Sequence, residues 1–245
     1  MFKTSITFIA AMFTVAFMLS GTAGADLLLD DFTDDTLSSE YVQSTVDTFG
    51  AGETLYSFDT TTNDNQLTVL SDSGAVGNQN ELLRDDVSLD IGETLLVDVD
   101  PSNVSRDLTG LSIYTTKTPA NRNSSIVIGY SGSLGNLLSW YFNDSGTFTF
   151  GFHGAPTGIV ESFFIERTGA DTFDLGYINT DSDSFVVRTV DTTGQTAPGN
   201  AVGVHVDLNP DSSAIFDNLR IIPEPASLVL LGLGGLLMLR RRHAT

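Results

Sequence analysis

The chain has 245 residues, no cysteine, and 31 Asp plus Glu against 11 Lys plus Arg, a formal net charge of −20. Lacking thiols, it can hold no disulfide, zinc-thiolate site, cysteine nucleophile or iron–sulfur cluster. So negative a surface argues against nucleic acid and anionic lipid as partners, since both are lined with phosphate charge.

The first 25 residues read as a secretory signal peptide. Met1 to Thr4 holds one lysine, Ile6 to Leu19 is apolar apart from Thr7 and Thr14, and Ala23-Gly24-Ala25 is a small-residue cleavage site. Ala23 and Ala25 are the signal-cleavage residues, and the chain is expected to be cut after Ala25. The stretch from Asp26 to Ile222 is long enough for one single-core domain. Its seven Lys and Arg against thirty Asp and Glu give it a net charge of −23.

Turn chemistry punctuates that domain every 8–12 residues. Leu27 to Leu29 predicts a first strand that ends in an acidic turn at Asp30-Asp31. Thr45 to Phe49 and Thr54 to Phe58 read as strands about a Gly50-Ala51-Gly52 turn, and Leu67 to Leu70 as a short strand. Leu95, Val97 and Val99 alternate along a half-buried strand that Pro101 stops. Leu108 to Thr115 carries Leu111 and Ile113 on one face, and Ser125 to Tyr130 is strongly β-branched. Leu137 to Phe142, the turn Asn143-Asp144-Ser145-Gly146 and Thr147 to Phe152 make the clearest hairpin. Ile159 to Arg167 and Thr172 to Ile178 form another, and Phe185 to Val190 is the next strand. Val202, Val204 and Val206 alternate in the one after it, and Ala214 to Ile222 is the last. About fifteen short strands, no amphipathic helix and no internal repeat predict an all-β fold: a two-sheet antiparallel β-sandwich, or jelly roll.

Candidate sites are few. Asp30 and Asp31 with Asp217 and Asn218 could form a structural calcium site, since hard cations take several oxygen ligands from loops that join strands. No other cofactor is implied. Glu161 and Glu166 are five apart on one strand, which alternation places on opposite faces, so they make a poor acid/base pair. His153 and His205 read as structural, because no serine sits in a Gly-x-Ser-x-Gly elbow. Trp140 and Tyr141, on opposite faces of their strand, are candidate glycan-stacking residues. Phe148, Phe150 and Phe152 share one face and are expected in the core. No catalytic residue is assigned.

The segment 223–245 has three signals in a fixed order. Pro223-Glu224-Pro225 is an extended joint, because each proline lacks a donor and has its φ fixed. Ala226 to Leu239 is uncharged and as a helix would reach about 21 Å, short of the ~30 Å hydrocarbon core. Arg240-Arg241-Arg242 would hold its end on the cytoplasmic side. This arrangement resembles the PEP-CTERM protein-sorting signal. The resemblance implies a short transmembrane helix, processing by an exosortase-type enzyme at the inner membrane, and Pro223, Glu224, Pro225, Arg240, Arg241 and Arg242 as the recognised residues. Separately, Val202 to Val206 and Ala214 to Ile221 resemble the closing strands of concanavalin A-like and laminin-G-like jelly rolls, which implies that the last strand pairs with Leu28 to Phe32. Together these readings predict an exported bacterial surface or matrix protein. Its ectodomain would be a non-catalytic glycan-binding or structural module, with extracellular polysaccharide as partner. A glycan-active hydrolase or lyase on the same fold is the alternative.

Overall fold

The computed structural model describes residues 26–30, 32, 39–47, 58–59, 66–70, 78–100, 108–115, 125–131, 137–144, 147–195, 198–207 and 213–223. The chain divides into a unit spanning Leu28–Ile221 and a unit made of Met1–Leu27 with Ile222–Thr245. The second lies almost wholly outside the described residues. So do the predicted signal peptide, residues 54–57 of an early strand, the Ser145–Gly146 turn, and Glu224 through the arginine cluster. Among the described residues no helix is long and apolar enough to cross a membrane.

Fifteen strands make up the described structure. They are β1 (Leu27–Asp30), β2 (Tyr41–Asp47), β3 (Phe58–Asp59), β4 (Leu67–Leu70), β5 (Asn78–Arg84), β6 (Thr94–Val99), β7 (Leu108–Tyr114) and β8 (Ser125–Ser131), then β9 (Leu137–Asp144), β10 (Thr147–Gly154), β11 (Val160–Arg167), β12 (Thr172–Asn179), β13 (Ser184–Asp191), β14 (Ala201–Asp207) and β15 (Ser213–Ile222). An eight-stranded sheet runs β13-β12-β11-β6-β15-β4-β3, with β1 also paired to β15. A seven-stranded sheet runs β10-β9-β8-β7-β14-β5-β2. The two form a sandwich of the expected jelly-roll kind, and the pairing of the first strand with the last is the one the closing segment implied.

The core between the sheets follows from period-2 alternation. Leu111 and Ile113, Ile126 and Ile128, Leu138, Trp140 and Phe142, and Val202, Val204 and Val206 enter it from the seven-stranded sheet. Leu95 and Val97, Phe163 and Ile165, Phe173 and Leu175, and Phe216 meet them from the other. Two irregularities break the alternation. In β15 the core residues are Ala214 and Phe216, then Leu219 and Ile221. The phase slips by one at Asp217-Asn218, where Asn218 has φ 48°, a left-handed conformation that Asn tolerates better than most residues. In β11 the register shifts between Val160 and Ser162, which takes Glu161 out of the alternation and leaves it exposed.

Candidate functional site

The outer face of the seven-stranded sheet carries most of the chemistry. Its register aligns one row of residues across the strands: Glu81 beside His205, His205 beside Gly110, Gly110 beside Gly129, and Gly129 beside Ser139. Because Val204 and Val206 face the core, His205 must face outward. The same parity turns Glu81, Ser112, Tyr114 and Tyr141 to that face.

These side chains form one buried network. His205 Nδ1 lies 2.6 Å from Glu81 Oε1, Ser112 Oγ donates to Glu81 Oε2 at 3.2 Å, and the Tyr114 hydroxyl donates to Glu81 Oε1. The Tyr114 and Tyr141 hydroxyls are 3.3 Å apart, and the Tyr141 ring stands edge-on to His205, 5.7 Å between centroids. Glu81 is 1% exposed and His205 0%. A buried carboxylate is tolerable only when its lone pairs are satisfied, and three neighbours do so here. His205 is thus wholly buried, its Nδ1 partnered by Glu81 and its Nε2 without a hydrogen-bond partner. No linear signal joins residue 81 to residue 205; only the pairing of β5 with β14 does.

Beyond Tyr141 the character of this face changes. Phe148 pairs in register with Asn143, Phe150 with Tyr141 and Phe152 with Ser139. The three phenylalanines do share a face, but it is the outer one, and they are 57%, 69% and 52% exposed. This corrects the expectation of a buried row. Alternation says which residues are on the same side of a strand, not which side is covered. β10 is the end strand of its sheet, and its other face carries Thr147, Thr149 and Gly151, ahead of a register shift between Phe152 and Gly154. The aromatic contacts continue along the row, with Phe148 edge-on to Tyr141 at 6.0 Å and Phe150 to Phe152 at 6.0 Å.

Trp140 and Tyr141 lie on opposite faces, as expected, and both rings are largely buried. Trp140 packs into the core, its ring capped by the Arg188 guanidinium at 4.9 Å. A Cβ on Gly151 would meet the Trp140 ring at 2.7 Å, so the small residue in β10 is what gives the indole its place.

In the eight-stranded sheet Asp98 lies near three other carboxylates, Asp100, Glu161 and Asp217. Asp98 Oδ1 accepts from Ser162 Oγ at 2.7 Å. Its Oδ2 accepts from Asn218 Nδ2 at 3.1 Å and from Arg220 at 3.0 Å. Asp98 also lines a shallow cleft of about 360 Å³ with Asp100, Glu161 and Asp217. Of the four residues expected to hold calcium, Asp31 lies outside the described residues. Asp30 Oδ1 accepts from the Phe32 backbone N–H at 2.8 Å, and Asp217 Oδ1 from that of Asn218 at 2.7 Å. The Asn218 amide is turned to Asp98, whose charge Arg220 already offsets. Among the described residues no group of three or more Asp, Glu or His is placed to hold a metal ion.

Near the N-terminal strand, Arg84 ties β1 to β5. Its Nη1 donates to the Leu29 carbonyl at 2.6 Å, Nε and Nη2 donate to Asp86 at 3.0 and 2.6 Å, and the guanidinium lies over the Tyr41 ring at 5.6 Å. The hydrogen bond to Asp86 raises the Arg84 pKa, and burial, then the Asp30 charge, push the Tyr41 hydroxyl up. The Tyr130 hydroxyl is pushed up to about 12, chiefly by burial. These groups stay in their ordinary charge states at neutral pH and serve the fold.

Comparison with known proteins bears on both the fold and the tail. The GH43 protein BlXynB from Bacillus licheniformis is similar over 79% of this chain and 39% of its own, at 16% identity and TM-score 0.51. The chain thus spans well under half of that protein. A functionally unknown protein from Saccharomyces cerevisiae is similar over 77% of this chain and 98% of its own, at 13% identity and TM-score 0.50. The Ca2+-bound exoplasmic/lumenal domain of VIP36 aligns over 80% of this chain and 89% of its own, at 7% identity and TM-score 0.46. At these identities the likeness to the first two is one of fold alone. No curated protein matches the sequence. Residues 222–242 match the PEP-CTERM protein-sorting motif, so the chain carries, behind its jelly roll, the signal of an exported protein that is membrane-anchored and processed by an exosortase-type enzyme at the cell envelope.

Proposed function

We propose that the jelly roll is a non-catalytic module of the cell surface or extracellular matrix that binds neutral polysaccharide through the aromatic ledge on β10. The exposed row Phe148, Phe150 and Phe152 carries this reading. A pyranose ring offers a face of weakly positive C–H groups, which suits the negative π-face of an aromatic ring. Same-face residues on a strand repeat about every 6.7 Å, so three rings in a row suit an extended glycan better than a single sugar. The formal charge of −20 favours an uncharged glycan over an acidic one. Tyr141, in edge contact with Phe148, forms the inner border of the ledge.

The test is retention of the full chain on its host's own neutral matrix polysaccharide. Replacing Phe148, Phe150 and Phe152 with alanine should weaken retention at least tenfold, about 1.4 kcal/mol, with the fold intact. Unchanged retention would overturn the glycan reading. The hydrolase alternative predicts something else: release of reducing sugar that is lost in Glu161→Gln and indifferent to the phenylalanines.

A further inference from the structure

The sorting motif begins at Ile222, and Ile222 is also the last residue of β15. The compact unit of the jelly roll runs to Ile221, so not one residue of linker stands between the fold and the signal. The last residues of the strand are firmly held. Leu219 and Ile221 belong to the core, and between them Arg220 Nη1 donates to Asp98 Oδ2 at 3.0 Å. β15 is an interior strand, with β6 on one side and β4 on the other, and β1 pairs with it as well. Pro223, the first residue of the triplet, is itself half-buried.

The length of the joint turns this placement into a constraint. Four peptide steps lead from Ile222 to Ala226, where the uncharged run begins, and fully extended they span about 14 Å. With β15 in its sheet, an enzyme at the inner membrane must take the triplet within that distance of a packed strand. Proteins that read a peptide through its backbone take it in extended form and pair with its N–H and C=O groups. The residues just ahead of the triplet already spend those groups inside the sheet.

We propose that residues 219–222 leave the sheet before the triplet is cut, so that local opening of the jelly roll at the end of β15 sets the rate of sorting. The step is conformational and breaks no covalent bond. It withdraws Leu219 and Ile221 from the core and parts Arg220 from Asp98, while the aromatic ledge stays in the other sheet. Cutting from a transiently opened state tracks the population of that state when opening and closing are fast. A strand end opens at lower cost than the whole domain, so the jelly roll need not unfold to be sorted. The inference rests on the sorting motif and stands whether or not the ledge binds glycan.

The test is the half-time with which newly made full-length chain is converted to the cut form in its native host. Inserting Gly-Ser-Gly-Ser-Gly-Ser between Ile222 and Pro223 adds about 20 Å of reach and leaves β15 as it is. It should shorten the half-time at least about tenfold, because the strand no longer has to open. Ile221→Val removes one buried carbon, which the fold tolerates, and should shorten the half-time about threefold. In the chain with the spacer, Ile221→Val should change nothing. A spacer that leaves the half-time unchanged, or an Ile221→Val effect of equal size with and without it, would overturn the proposal. Alanine at Pro223, Glu224 and Pro225 should abolish conversion in every background. Conversion that persists there would break the sorting reading itself, and this inference with it.

Discussion

On one face of one sheet, Glu81 and His205 are almost wholly buried while Phe150 is 69% exposed. Three strands, β7, β8 and β9, lie between His205 and Phe150, and the two regions, which meet where Tyr141 touches Phe148, treat polarity in opposite ways. The inner half holds a carboxylate, an imidazole, a serine and two tyrosines joined through Glu81, with only His205 Nε2 left unpartnered. The outer half presents three aromatic rings to water. The contrast teaches that a strand's place in the sheet, not the polarity of its residues, sets what is exposed. It also separates roles. A buried network centred on one carboxylate is closed to solvent, whereas an exposed apolar row is costly to keep in water and points to a contact surface.

The largest effect that can break this comparison is at Glu81. Glu81→Leu leaves His205 and Tyr114 buried without their acceptor and should cost about 3–5 kcal/mol, read as a lower denaturation midpoint at unchanged slope. Adding His205→Leu should recover part of that loss, because it removes the orphaned imidazole. A change under about 1 kcal/mol would mean that the network does not hold the inner half together. Next is Gly151→Ala, whose new methyl meets Trp140 at 2.7 Å and should cost about 1–3 kcal/mol through overpacking. Phe150→Ala should change stability by no more than about 0.5 kcal/mol, as exposed positions do, while weakening polysaccharide retention. A large stability loss there would place Phe150 with the core after all.

The smallest effect is alkaline. The Tyr130 hydroxyl titrates near 10 when unfolded and is pushed up to about 12 in the fold. Between those values the unfolded chain loses the proton first, so this contribution to stability is full below about pH 10 and falls as pH rises toward 12. Tyr130→Phe should flatten that fall in a series of denaturation curves. An unchanged slope would mean that other groups govern it.

Much of the fold is legible in the sequence because alternation and turn residues are local signals. The hairpins β9–β10 and β11–β12 follow from runs of alternating apolar residues bounded by Asn, Asp and Gly. The first-with-last pairing of β1 and β15 is legible only through resemblance. Alternation fails where a strand is irregular: the slip at Asn218 and the bulge at Glu161 each move a carboxylate in a way that counting by twos cannot foresee. The candidate site is less legible. Alternation groups Phe148, Phe150 and Phe152 correctly and the expectation of burial is wrong, since whether a face is covered depends on strand order, which is a property of the whole sheet. The Glu81–His205 pair joins residues 124 positions apart, and the sequence holds no trace of it.

Delivery to the envelope underlies every role given to the aromatic ledge. The most direct test is the intact mass of the mature protein isolated from its native host, with the cell fraction in which it is found. The account predicts a chain that begins at Asp26, ends near Pro223 and is recovered with the surface or matrix. A mass that still includes Arg240 to Thr245, on protein held in the inner membrane, would contradict it.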